Sequence, residues 1–106
     1  MMITQDRIHD VSEQIAREFV PERITLFGSY AYGQPTEHSD VDLLVVLPFE
    51  GKPYRKATEI LAAVHAGFPL DIVARRPDDV ERRYHDRDPL IQDAVDRGRV
   101  LYEQHR

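Results

Sequence analysis

The chain contains no cysteine, which excludes disulfides, thiolate metal sites and a thiol nucleophile. Basic side chains are in the minority, 14 against 19 acidic ones, and the formal charge is -5. That balance argues against a sequence-blind grip on free nucleic acid, which needs a basic surface. It is compatible with a small acidic pocket that holds cations. No apolar run approaches the ~20 residues of a membrane-spanning helix. The opening MMITQDRIHDVSEQ is polar and charged where a secretory signal would be apolar. The expectation is a cytoplasmic protein with no membrane partner. At 106 residues there is room for one core and one domain, 1–106, with no repeat, low-complexity tract or linker to divide it. The five histidines show no metal-ligand spacing.

What is present divides into periodic segments. Ile8, Val11, Ile15 and Phe19 recur at helical spacing after a potential N-cap, Thr4, so residues 4–19 are expected to form an amphipathic helix ending before Pro21. Arg23 to Phe27 reads as a short strand, Tyr30 to Gly33 as a single helical turn, and Gln34 to His38 as a polar loop. Val41 to Leu47 is the strongest strand, stopped by Pro48. A second helix is expected over roughly 54–65, with Ala57, Ile60, Leu61 and Val64 inward and Gly67 as its C-terminal cap. Leu70 to Ala74 reads as a third strand, Pro77 to about Tyr84 as a helical turn, and Asp88-Pro89 as the start of a last helix that Gly98 ends. Arg99 to Tyr102 would be a closing strand. This order predicts an α/β (α+β) unit, a small mixed β-sheet with helices packed against it.

Three carboxylates break the apolar pattern. Asp40 and Asp42 stand at the mouth of Leu43-Leu44-Val45-Val46-Leu47, and strand alternation would put both on one side. Close like charges repel, and one pKa rises unless a cation lies between them. Magnesium suits such a place, because it takes oxygen ligands and needs few carboxylates besides substrate phosphates. Asp71 interrupts an otherwise apolar strand and would join the pair if that strand lies beside the first. Three carboxylates from two neighbouring strands suit a two-metal phosphoryl or nucleotidyl transfer site. Taken alone, the Asp40 and Asp42 pair is equally well explained by a turn cap and an exposed edge position. Gly28-Ser29, between an apolar strand and a helical turn, can present backbone N–H groups to an anion, with Gly33 turning the chain back.

Gly28-Ser29-x-x-x-Gly33, then Ser39-Asp40-x-Asp42 and an apolar strand, resembles the signature of the DNA polymerase β-like nucleotidyltransferase superfamily. The short length and the ending Asp96-Arg97-Gly98-Arg99-Val100-Leu101-Tyr102-Glu103 resemble its minimal nucleotidyltransferase (MNT) branch. The resemblance implies the palm-like nucleotidyltransferase fold, with nucleotide phosphates held at Gly28, Ser29, Gly33 and Ser39. It implies two magnesium ions on Asp40, Asp42 and Asp71, and proton removal from the acceptor by Asp71 or by water. It further implies transfer of a nucleoside monophosphate, AMP from ATP, to a hydroxyl with release of pyrophosphate. MNT proteins commonly serve as antitoxins beside a HEPN-family toxin, some by adenylylating a tyrosine, so a HEPN toxin and a homo- or hetero-oligomer are the implied partners. The alternative is a non-catalytic antitoxin that neutralises its partner by contact. Relatives commonly carry arginine where this chain has Tyr32, and a tyrosine supplies no fixed positive charge.

Among the basic residues, one or two of Lys52, Arg55, Lys56, Arg75 and Arg76 are candidates to help neutralise a triphosphate. Arg82-Arg83 reads as a solvated helix face, and Tyr84 and Tyr102 as packing residues.

Overall fold

A computed structural model describes residues 2–105. The elements are α1 (Gln5–Phe19), β1 (Arg23–Phe27), α2 (Ser29–Tyr32), β2 (Val41–Val46), α3 (Pro53–Ala63), β3 (Leu70–Arg75), α4 (Pro77–His85), α5 (Pro89–Arg97) and β4 (Arg99–Glu103). They build one four-stranded sheet in the order β3-β2-β1-β4. β1 runs antiparallel to both β2 and β4, while β2 and β3 are parallel and joined through α3. The mixed sheet and packed helices agree with the architecture expected from the sequence.

Alternation along the strands divides the interior. Ile24 and Leu26 of β1, Val41, Leu43 and Val45 of β2, and Ile72 and Ala74 of β3 pack with Ile8, Val11 and Ile15 of α1 and Ile60 of α3. On the other face Phe27, Leu44 and Val46 pack with Ile91 and Ala94 of α5, and with Val80 and Tyr84 of α4. β2 is apolar on both faces because helices cover both. The hydroxyl of Thr4 accepts from the Arg7 N–H and starts α1, and the Asp88 carboxylate accepts from the Leu90 and Ile91 N–H groups and starts α5.

The register defines two ends of the sheet. Phe27 lies opposite Asp42, Asp42 opposite Asp71, and Leu26 opposite Arg99. At the other end Arg23 and Arg75 both lie opposite Val46. Lys52, Arg55 and Lys56, at the start of α3, follow the far end of β2, and Arg75 and Arg76 end β3 there. The basic residues proposed from sequence to meet a triphosphate therefore stand at the end away from Asp42 and Asp71. Arg55 and Lys52 lie over the Tyr54 ring, Arg76 lies over Phe49, and Lys56 pairs with Glu59.

Three local expectations are corrected. α3 stops at Ala63, and Val64 turns extended to bury its side chain, so Gly67 caps no helix; its carbonyl accepts from Arg7 instead. Leu61 is 45% exposed rather than inward. Arg82 and Arg83 are not a plain solvated face: both donate to Asp79, which is only 4% exposed, and Arg83 also reaches Asp88. Burial alone would raise the Asp79 carboxyl, but the hydrogen bonds from Arg82 and Arg83 outweigh it and hold the group below its ordinary range.

Candidate active site

β2 is flanked by β1 and β3, so its first residues are held from both sides. Alternation places Asp42 on the face of Leu44 and Val46, toward α4 and α5. Parallel pairing brings Asp71 beside it on the same face, at the exposed outer edge of the sheet. The condition set by the sequence, that the Asp71 strand lie next to the Asp42 strand, is met. Asp40 stands one residue ahead of β2 and is exposed.

Asp42 is half-buried, and its pKa is raised from 3.8 to about 6. Burial is the largest cause, followed by repulsion from Asp71, repulsion from Asp40, and a hydrogen bond to Asp71 that the protonated form makes. The carboxyl therefore sits among like charges, which is the electrostatic setting a divalent ion stabilises. Among the described residues no three carboxyl or imidazole groups are close enough together to hold a metal ion by themselves. What exists is a facing pair, Asp42 and Asp71, with Asp40 adding its charge from the strand's mouth. Magnesium, which keeps several waters and binds through one or two carboxylates plus phosphates, fits such a donor set.

Gly28 explains its own presence. Its backbone has φ +75°, and a Cβ placed there would lie 2.2 Å from Oδ2 of Asp42. The turn before α2 thus lies directly against the acid, and no larger residue fits between them. The Gly28 carbonyl accepts from the Ala31 and Tyr32 N–H groups, and the Gly33 N–H donates to the Ser29 carbonyl, closing α2 as a single turn. Ser39 has a structural partner: its hydroxyl accepts from the Thr36 N–H at 2.9 Å, fixing the loop that leads to Asp40. The structure therefore brings together Gly28, Ser29, Asp42 and Asp71, sets Asp40 at the margin, and engages the Ser39 side chain in the loop.

One residue at this end was not singled out from the sequence. The guanidinium of Arg97, in the last turn of α5, lies 4.3 Å from the centroid of the Tyr32 ring. In the sequence it stands inside the ending Asp96 to Glu103 that carries the family resemblance, directly before a glycine, with no sign of a role of its own. A Cβ on Gly98 would lie 2.3 Å from the Ala94 carbonyl oxygen and 2.8 Å from that of Leu26, so the end of α5 is seated directly on β1. Arg99, by contrast, donates to Gln5 of α1, on the opposite face.

The profile of the nucleotidyltransferase domain family matches residues 8–101, a span that includes the turn and all three acids. In solved structures the chain is similar to a candidate nucleotidyltransferase from Sulfolobus solfataricus, with 21% identity and a TM-score of 0.58 over 73% of this chain and 70% of that one. It is similar to a toxin-antitoxin crystal structure with AMP-PNP, at 22% identity and a TM-score of 0.60 over 92% of this chain and 74% of that one. It is similar as well to a mutant of the toxin-antitoxin MntA-HpeT, at 24% identity and a TM-score of 0.56 over 98% and 76%. At these identities the likeness is one of fold. No curated protein matches the chain.

Proposed function

The chain belongs to the nucleotidyltransferase domain family, and from that premise we propose that it transfers AMP from ATP to a hydroxyl as the antitoxin of a toxin–antitoxin pair. The acceptor in this proposal is a tyrosine of a HEPN-family toxin. The observation that carries the chemistry is the Asp42 and Asp71 pair, facing across parallel strands with Gly28 against Asp42. The toxin-antitoxin structures that share the fold support the biological setting. Asp71 lies on an open sheet edge, which supports an acceptor as bulky as another protein.

In the reaction, the acceptor oxygen forms a bond to the α-phosphorus of the triphosphate. The bond from that phosphorus to the β-phosphate oxygen breaks, and pyrophosphate leaves. The hydroxyl proton passes to Asp71, the more exposed of the pair. The Gly28-Ser29 turn seats the phosphates close to the backbone, which the missing side chain of Gly28 permits. Asp42 and Asp71, with Asp40, would hold magnesium, which when bound stabilises charge on the phosphates and on the attacking oxygen.

The test is incubation with α-labelled ATP and magnesium, with and without a co-purified partner, for wild type and Asp42→Asn. Label on a tyrosine of the partner with wild type alone is the expected result. Equal labelling by Asp42→Asn would refute the site. No labelling by either, with the partner still bound, would replace transfer by neutralisation through contact.

A further inference from the structure

A triphosphate brings several negative charges to an end of the sheet that already holds three carboxylates, so a cation besides the metal is needed there. The arginines and lysines of this chain are mostly committed elsewhere. Lys52, Arg55, Lys56, Arg75 and Arg76 stand at the far end, Arg82 and Arg83 hold Asp79, and Arg99 is tied to Gln5 on the opposite face. Arg97 is the arginine that the packing of α5 brings to the right end and the right face. Its chain neighbour Gly98 is wedged against Leu26, Leu26 adjoins Phe27, and Phe27 is the register partner of Asp42. The Tyr32 ring under it belongs to the helical turn that follows Gly28-Ser29, and Tyr32 packs with the same apolar cluster that lies beneath Asp42.

Arg97 is also available. Among the described residues no carboxylate pairs with it: its neighbour Asp96 accepts from the Tyr84 hydroxyl at 2.8 Å. A stacked guanidinium keeps its donors free around the rim of the plane, whereas a salt bridge would use them. We propose that Arg97, steadied by the face of Tyr32, is the cation that contacts the phosphates of the nucleotide. The proposal deepens the transferase reading above and rests on it. A purely structural role is the rival explanation, since a cation in the last turn of a helix favours the helix dipole wherever it points. The two roles differ in what they do to phosphate recognition.

Binding of ATP with magnesium, and of adenosine, which has the base and sugar but no phosphate, separates them. The proteins are wild type, Arg97→Ala, Arg97→Lys, Tyr32→Phe and Tyr32→Leu, with Arg17→Ala, an exposed residue in the last turn of α1 at the far end, as a charge control. Arg97→Ala is expected to weaken ATP about 10- to 100-fold, the scale of a lost charged hydrogen bond, and to leave adenosine unchanged. Arg97→Lys should recover part of the loss. Tyr32→Phe should bind like wild type, and Tyr32→Leu should lose several-fold. ATP affinity in Arg97→Ala equal to wild type, or an equal loss for ATP and adenosine, overturns the assignment. Failure of wild type to bind either ligand would instead overturn the nucleotidyltransferase reading itself, and Arg97's role with it.

Discussion

Replacing Asp42 by asparagine should make the metal-free protein more stable while destroying its activity. Asparagine has the shape of a protonated aspartate and can donate to Asp71 as that form does. The wild-type carboxyl is held at about 6 instead of 3.8, so between these values the folded protein binds more protons than the unfolded chain. Stability therefore falls as pH rises through that window, and it is not penalised below about pH 4. At about 1.4 kcal/mol per unit the full shift is worth about 3 kcal/mol. Asp42 is only half-buried, and solvent screening reduces the figure to about 1 kcal/mol. Urea unfolding of both proteins from pH 4 to pH 8, with chelator present, reads this directly. The variant should match wild type near pH 4 and exceed it by about 1 kcal/mol at pH 7 to 8, a gain of about 4–6 °C in Tm. The lowered carboxyls, Asp79 and Asp88, contribute equally to both proteins and cancel in the difference. Adding magnesium should raise the stability of wild type and leave the variant where it was. A stability difference that does not change with pH, or a variant less stable than wild type at pH 7, would refute the account of Asp42.

Gly28→Ala should cost about 1–3 kcal/mol, because its φ 75°, ψ -157° backbone is one that only glycine adopts readily, and at least about 100-fold in transfer rate, because the new methyl displaces Asp42. Gly51→Ala, at φ +90° with nothing within 4 Å, should show a comparable loss of stability with full activity, and loss of activity there would break the argument from contact. Asp79→Asn should destabilise by about 2–3 kcal/mol, since it leaves Arg75, Arg82 and Arg83 crowded around a neutral group. The same variant should lose less stability than wild type when pH falls below about 4, because Asp79 is the group whose lowered pKa is given up there; calorimetry across that range checks both. Val20→Asn should stabilise by about 1 kcal/mol, because Val20 is a branched residue at φ 45°, 57% exposed, in a position that asparagine adopts more readily; an unchanged unfolding midpoint would refute it.

The sequence disclosed the strands and most helices because their signals are local. The alternation and apolar density of β2, the Thr4 and Asp88 caps, and the heptad-like spacing of Ile8, Val11 and Ile15 each act within a few residues. The acids of the site were readable for the same reason, since a carboxylate inside an apolar strand violates its own neighbourhood. What was missed depends on packing between distant segments. Gly67 invited a helix cap, but Val64 leaves the helix first because the core offers it a buried position. Arg82 and Arg83 looked like solvated charge because nothing near them in sequence shows that Asp79 is covered. Arg97 owes its place to a glycine seated on β1 and to an aromatic ring 65 positions away, and neither contact leaves a trace in the spacing of α5.

Two acids on the α4/α5 face, Asp79 buried and Asp42 half-buried, make the functional assignment sharper together than either would alone. Asp79 is buried more deeply than Asp42, yet its pKa falls while that of Asp42 rises. The difference is the company each keeps: arginines surround the first, and carboxylates surround the second. A fold able to neutralise a buried acid has done so at one end of the sheet and left the charge unrelieved at the other. Selection for stability favours neutralising both, since an unrelieved acid costs free energy and an asparagine would fit. The acid end therefore makes sense as a place where positive charge is to arrive from outside, and the glycine against Asp42 keeps the approach to it open. Charge reversal at Asp42 alone, Asp42→Lys, places that hypothesis on one result: a lysine should satisfy Asp71 and hold the fold, while magnesium no longer raises the melting temperature. A magnesium response that survives the lysine would mean that the cation binds somewhere else.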